Sequence, residues 1–179
     1  PGDVPAVRDL SVSVCESERV ALIGPNGSGK STFARCLNGL LQPAAGRVEI
    51  DGHSTSDAAS IFDIRRRLSL VFQNPDDQLV STTVESEIAF GLENLGTAHS
   101  LMVEAVETTI TSFSLERYRH HPPHLLSGGE KQRLAIAACV ALQPQYLVLD
   151  EPTALLDPAG RQEVMGLLQR LHDQGVTLI

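Results

Sequence analysis

Apolar residues come in short runs broken by glycine, proline and acidic turns, the rhythm of strands alternating with helices. Residues 19–23 form a strand-length apolar run that empties into the glycine-rich stretch at 24–29. Over 31–40, Phe33, Ala34, Leu37 and Leu40 fall on one side at helical spacing, which predicts a helix directly after the glycines. Strand, glycine loop and helix in that order open a mononucleotide-binding fold. Residues 48–50 alternate as a strand and meet Asp51-Gly52, a hairpin signal. Residues 61–68 lead into an apolar strand over 68–72. From 74 to about 126 the pattern is helical and loop-rich, with 102–113 its best amphipathic stretch. Ser127-Gly128-Gly129 starts another helix reaching about Leu142. Residues 145–149 read as a buried strand, 158–174 as a helix stopped by Gly175, and Val176 begins a last strand. No internal repeat or low-complexity tract interrupts the series. The prediction is an α/β core with an antiparallel β lobe and a helical insertion.

A length of 179 residues suits one domain with a real core. Lys and Arg number 14 against 22 Asp and Glu, a net charge of -8, which argues against nucleic acid as a partner. Cys15, Cys36 and Cys139 stand far apart without a C-x-x-C spacing, as expected of reduced thiols. No basic-then-apolar leader and no membrane-length apolar run is visible, so the chain is expected to dock onto a membrane protein if it meets a membrane at all. Pro1 enters an alternating segment almost at once, and the chain stops inside Val176-Thr177-Leu178-Ile179. Both ends therefore read as truncated.

The chemistry starts in the glycine loop. Gly24-Pro25-Asn26-Gly27-Ser28-Gly29-Lys30-Ser31-Thr32 fits G-x-x-x-x-G-K-[ST]. Glycines let consecutive backbone N–H groups turn inward around phosphates, and the following helix adds the positive end of its dipole. Lys30 is expected on the β- and γ-phosphates of ATP, the Ser31 hydroxyl on Mg²⁺, and Thr32 near the α-phosphate. Tyr146-Leu147-Val148-Leu149-Asp150-Glu151 is the companion: a buried strand puts Asp150 beside the loop to hold Mg²⁺, and Glu151 next to it can activate a water. Ser127-Gly128-Gly129-Glu130 opens a helix with a second potential anion site, made of the Ser127 side chain and two glycine N–H groups.

With Leu126-Ser127-Gly128-Gly129-Glu130-Lys131-Gln132-Arg133 in place, the chain resembles the ATP-binding domain of ABC proteins, a P-loop NTPase fold. Glu130 stands where the usual family residue is Gln. The resemblance implies that this signature completes the ATP site of a second ATPase subunit, identical or paralogous, in a head-to-tail pair. It implies that Gln73 is the Q-loop glutamine, which senses Mg²⁺ and the transporter contact and counts with Lys30 and Glu151 as catalytic, and that Ala154-Leu155-Leu156-Asp157 is the D-loop, whose Asp157 reaches across the dimer. One ATP-binding domain is expected over 1–179, with core and β lobe at 1–73 and 143–179 and a helical signature subdomain at 74–142. The adenine-stacking aromatic and the switch histidine are expected outside these limits, so an isolated 1–179 chain is expected to be nearly inactive. His120, His121 and His124, among prolines, are expected on an extended solvated loop rather than on a metal.

Gln73-Asn74-Pro75-Asp76-Asp77-Gln78-Leu79, then Thr82-Thr83-Val84-Glu85 and Ala89-Phe90-Gly91-Leu92-Glu93-Asn94, is similar to the energy-coupling-factor ATPases, as is Pro122-Pro123-His124-Leu125-Leu126. That likeness implies a transmembrane coupling protein and a substrate-capture membrane subunit as partners. It also implies uptake of a vitamin or a transition-metal ion, and a place on the cytoplasmic face of a prokaryotic cell membrane. Soluble ABC ATPases of DNA repair, chromosome structure or translation are the alternative. They usually carry a coiled-coil or zinc insertion, whereas Lys30 and Ser127 are separated here by one compact helical segment without heptads.

Overall fold

A computed structural model describes residues 5–179. Residues 1–4, where the opening segment begins, lie outside the described residues. Helix α1 spans Lys30–Leu37, three residues shorter than its apolar side suggests. The reason is Gly39, whose φ of 70° is left-handed. It turns the chain so that Leu40 N–H reaches Arg35 O at 2.9 Å and Gly39 N–H reaches Cys36 O at 3.2 Å, closing the helix with a paired cap. Strands β1 (Glu49–Ile50) and β2 (His53–Ser54) pair antiparallel across Asp51-Gly52, with φ of 50° and 78°. That is the twist a two-residue hairpin needs. The expected antiparallel β lobe amounts to this hairpin among the described residues.

Helix α2 (Ile61–Arg67) runs straight into β3 (Leu68–Val71). Helices α3 (Val84–Asn94), α4 (His99–Ser112) and α5 (Gly128–Val140) follow, then β4 (Tyr146–Leu149), α6 (Pro158–Asp173) and β5 (Thr177–Leu178). The order β3-β4-β5 is parallel throughout, with Leu68 opposite Tyr146, Val71 opposite Leu149, and Leu147 opposite Leu178. Both faces of this sheet are covered, which is why its strands lack polar alternation. Leu68, Leu70, Tyr146 and Val148 pack with Ala34 and Leu37 of α1. Val71 and Leu147 belong to the larger core with Ile88, Ile110, Leu134, Ile136 and Leu168. Two-residue strand periodicity sorts the side chains between these cores.

One expected strand does not form. Residues 19–23 reach the sheet only through a parallel bridge from Arg19 to Leu178, with Val20 N–H on Leu178 O at 2.8 Å. Pairing goes no further than that bridge, and Ile23 is 95% exposed.

Candidate nucleotide site

Parallel strands deliver their carboxyl ends to one edge of the sheet, and α1 starts there too. Val71 and Leu149 end in register, Asp150 N–H donates to Val71 O at 3.0 Å, and Gln73 and Glu151 lie just beyond. Gly27 and Gly29 have φ of 81° and 94°, the left-handed turns that bring the loop into α1. At Gly29 a Cβ would sit 2.4 Å from Ala6 O, so only glycine fits.

Five predicted site residues converge through their side chains. Lys30 Nζ donates to Gly24 O at 3.0 Å and Pro25 O at 3.3 Å, and lies 3.2 Å from Glu151 Oε1. Gln73 Nε2 donates to Glu151 Oε2 at 3.3 Å. Ser31 Oγ donates to Asp150 Oδ1 at 3.0 Å, and Asp150 is buried. A hydroxyl and a carboxylate held together supply the hard oxygen donors a Mg²⁺ ion takes. Thr32 follows on the first turn of α1, and Ser28 N–H closes the loop on Pro25 O at 3.2 Å, across Asn26. Glu151 itself adopts φ 48°, a left-handed backbone that a long side chain tolerates poorly and that clusters at functional positions.

The signature residues are placed elsewhere. No hydrogen bond or ion pair among the described residues joins Ser127, Gly128, Gly129 or Glu130 to the loop at 24–32, Gln73, Asp150 or Glu151. Instead they head α5, with Gly128 and Gly129 facing Leu155 and Leu156, in the stretch expected to be the D-loop. Ser127 and Glu130 form a reciprocal cap: Ser127 N–H reaches Glu130 Oε2 at 2.8 Å, and Glu130 N–H reaches Ser127 Oγ at 3.4 Å. The Ser127 hydroxyl also donates to Glu130 Oε2 at 2.8 Å. Two residues that sequence patterns did not single out complete this cluster. The Tyr118 hydroxyl donates to Glu130 Oε1, and Arg117 Nη2 reaches the same oxygen at 3.3 Å. Burial pushes the Glu130 carboxyl up, but the Tyr118 hydroxyl, the Ser127 amide and hydroxyl and Arg117 outweigh it, so it titrates at about 2. No spacing rule pairs a dipeptide at 117–118 with the third residue of a helix.

The histidines sit on an exposed loop as expected, although Pro123–Leu125 turns as a 3-10 helix rather than running extended. His121 packs edge-on to Tyr118, with ring centroids 5.7 Å apart. No group of three metal-capable His, Cys, Asp or Glu side chains occurs among the described residues, and no helix there is long and apolar enough to cross a membrane.

A phosphate-loop helix with a Ser–Asp pair and a Glu at the carboxyl edge of a parallel sheet defines the P-loop NTPase class. The chain belongs to the ABC transporter family, whose profile matches residues 7–154. It is 47% identical over 175 residues to the energy-coupling factor transporter ATP-binding protein EcfA1 of Clostridium perfringens, covering 97% of this chain and 62% of that protein. The EcfA1 protein of Listeria monocytogenes is 51% identical over 169 residues, covering 94% of this chain and 60% of the relative. The chain thus spans about three-fifths of the length of these relatives. Two solved structures superpose with TM-scores of 0.86. One is cbiO1 of Clostridium perfringens, described as part of the ABC transporter complex cbiONQ, at 35% identity, 97% of this chain and 70% of that one. The other is a dimeric post-hydrolysis state of the ATP-binding cassette MJ0796 bound to ADP and Pi, at 31% identity, 97% and 78%.

Proposed function

We propose that this chain is the ATP-binding and ATP-hydrolysing domain of an energy-coupling-factor ABC transporter subunit, working as half of a head-to-tail pair. The observation that carries this reading is the meeting of Lys30, Gln73 and Glu151 beside the Ser31–Asp150 pair, while the signature is built separately on α5. An anion site at Ser127 with no link to its own chain's phosphate loop is what a shared two-chain site requires. The relatives named above support the energy-coupling-factor assignment. On this reading 1–179 is one ATP-binding domain, with 74–142 as its helical subdomain.

In the proposed mechanism the backbone N–H groups of 24–29 and the ammonium of Lys30 hold the phosphates in line. Ser31, Asp150 and Gln73 would hold Mg²⁺, which supplies charge neutralisation at the β- and γ-phosphates. Glu151 accepts a proton from the attacking water, and the Gln73 amide fixes the orientation of that carboxylate. Ser127, Gly128 and Gly129 of the partner subunit would donate to the same γ-phosphate. The hydrolysis would power a transmembrane coupling protein and a substrate-capture subunit at the cytoplasmic face of a prokaryotic membrane. The vitamin or transition-metal ion carried would be transported substrate, never bound by these residues.

The decisive variant is Glu151→Gln in the full-length protein. It keeps shape and loses the basic carboxylate, so ATP binding persists while phosphate release drops by about 10²–10⁴-fold. An ATP-bound dimer accumulates on gel filtration. Turnover at the wild-type rate removes Glu151 from the role of base.

A further inference from the structure

The Ser127 hydroxyl is committed within its own chain. It points its proton at Glu130 Oε2, 2.8 Å away. To donate to a phosphate it has to rotate away, leaving an ionised carboxylate with one donor fewer, close to a bound anion. A carboxylate in that position needs replacement donors and a counter-charge. The loop before the signature supplies both. The Tyr118 hydroxyl and Arg117 Nη2 converge on Glu130 Oε1, the oxygen Ser127 does not use. The guanidinium stacks over the Tyr118 ring, 4.4 Å from its centroid, and His121 meets the ring edge-on, so the two donors brace each other. When the hydroxyl turns outward, Glu130 keeps the Ser127 amide, Tyr118 and Arg117.

The geometry points to Arg117 and Tyr118 as positioning residues for the signature's anion site: by holding the Glu130 carboxylate on its far oxygen, they release the Ser127 hydroxyl to a phosphate. This rests on the proposal that Ser127 meets the nucleotide of a second subunit. Because Glu130 is the acid that needs the bracing, both residues matter only while position 130 carries a charge.

The test is a double-mutant cycle on the full-length protein, following phosphate release against ATP concentration. Arg117→Ala and Tyr118→Phe are each expected to raise KM about three- to five-fold, the upper range for a charge-assisted contact whose arginine is largely exposed, with kcat held within about two-fold. Phenylalanine keeps the ring packed, so Tyr118→Phe removes only the hydroxyl. Arg117→Lys is expected to recover most of the lost affinity, and higher salt to shrink the Arg117→Ala effect. In a Glu130→Gln background the same substitutions are expected to move KM by less than about two-fold. Equal KM shifts in both backgrounds overturn the proposal, as does a change in kcat or thermal midpoint without one in KM. Ser127→Ala separates the two levels. If it leaves KM and cooperativity untouched, the shared-site reading fails, whatever the cycle gives.

Discussion

Lys30 directs one ammonium at two carbonyls of its own loop and at Glu151. Backbone oxygens can hold such a charge in place but cannot replace it. Lys30→Ala is therefore expected to weaken ATP binding by about 100-fold or more, the loss of a charge-assisted phosphate contact in a protected site. Calorimetric titration of the full-length protein with ATP checks this, and unchanged affinity removes Lys30 from the phosphate site. Residues like this one were legible from sequence because the phosphate loop is local: nine consecutive positions define it, and Asp150-Glu151 at the end of an apolar run define its companion. Tyr118 and Arg117 were not legible. Their partner Glu130 lies 12 and 13 residues away, across two turns and a buried proline, and nothing in spacing marks the contact. The isolation of Ser127 from the phosphate loop could be inferred only from the resemblance, since residue spacing says nothing about which chain completes a site.

Elements here are set by their ends more than by their middles. Helix α1 stops at Leu37 because Gly39 turns left-handed, although the apolar side continues to Leu40. Gly39→Ala places a Cβ in that backbone and within 2.2 Å of Ile61 Cδ1, so chemical denaturation is expected to show a loss of about 2 kcal/mol. Adding Ile61→Val removes the crowded methyl and is expected to recover part of the loss, leaving the backbone component. The start of α5 carries a pH signature. With the Glu130 carboxyl at about 2 against an ordinary 4.5, its cap stabilises the fold fully above about 4.5 and is lost as pH falls toward 2. Protection factors in the first turn of α5, taken against the intrinsic exchange rate at each pH, are expected to fall over that window, and Glu130→Gln to remove the dependence. The elements that were readable carry local signals at their ends: Gly175 stops α6, and Ser127-Gly128-Gly129 opens α5. Thr83, whose side chain caps α3, was not read that way. The failure at 19–23 has a different origin. An apolar run predicts burial, but a strand also needs a ladder, and here one bridge from Arg19 to Leu178 is all that forms.

At the scale of the molecule, no hydrogen bond or ion pair among the described residues ties the signature to the phosphate loop. The proposed head-to-tail pair would make each site from opposite halves, which allows a mixing experiment. Full-length Lys30→Ala and Ser127→Arg proteins are each expected to be inactive alone. Mixed, half the dimers regain one intact site, and phosphate release returns to about a quarter of wild type under random twofold pairing. No recovery on mixing counts against shared sites. The parallel sheet bears on this arrangement, since β3 and β4 in register bring Gln73 and Glu151 to one edge, while Ser127 heads α5 and bonds to Glu130 instead. The left-handed backbone of Glu151 has a further consequence, for which sequences survive selection. In a library screened for folding alone, residues at ease in that conformation, Gly and Asn above all, are expected to displace glutamate at 151. Screened for ATP turnover, the same library is expected to restore it. The divergence between the two enriched pools would show how far the fold tolerates a poor conformer there to keep a carboxylate in place.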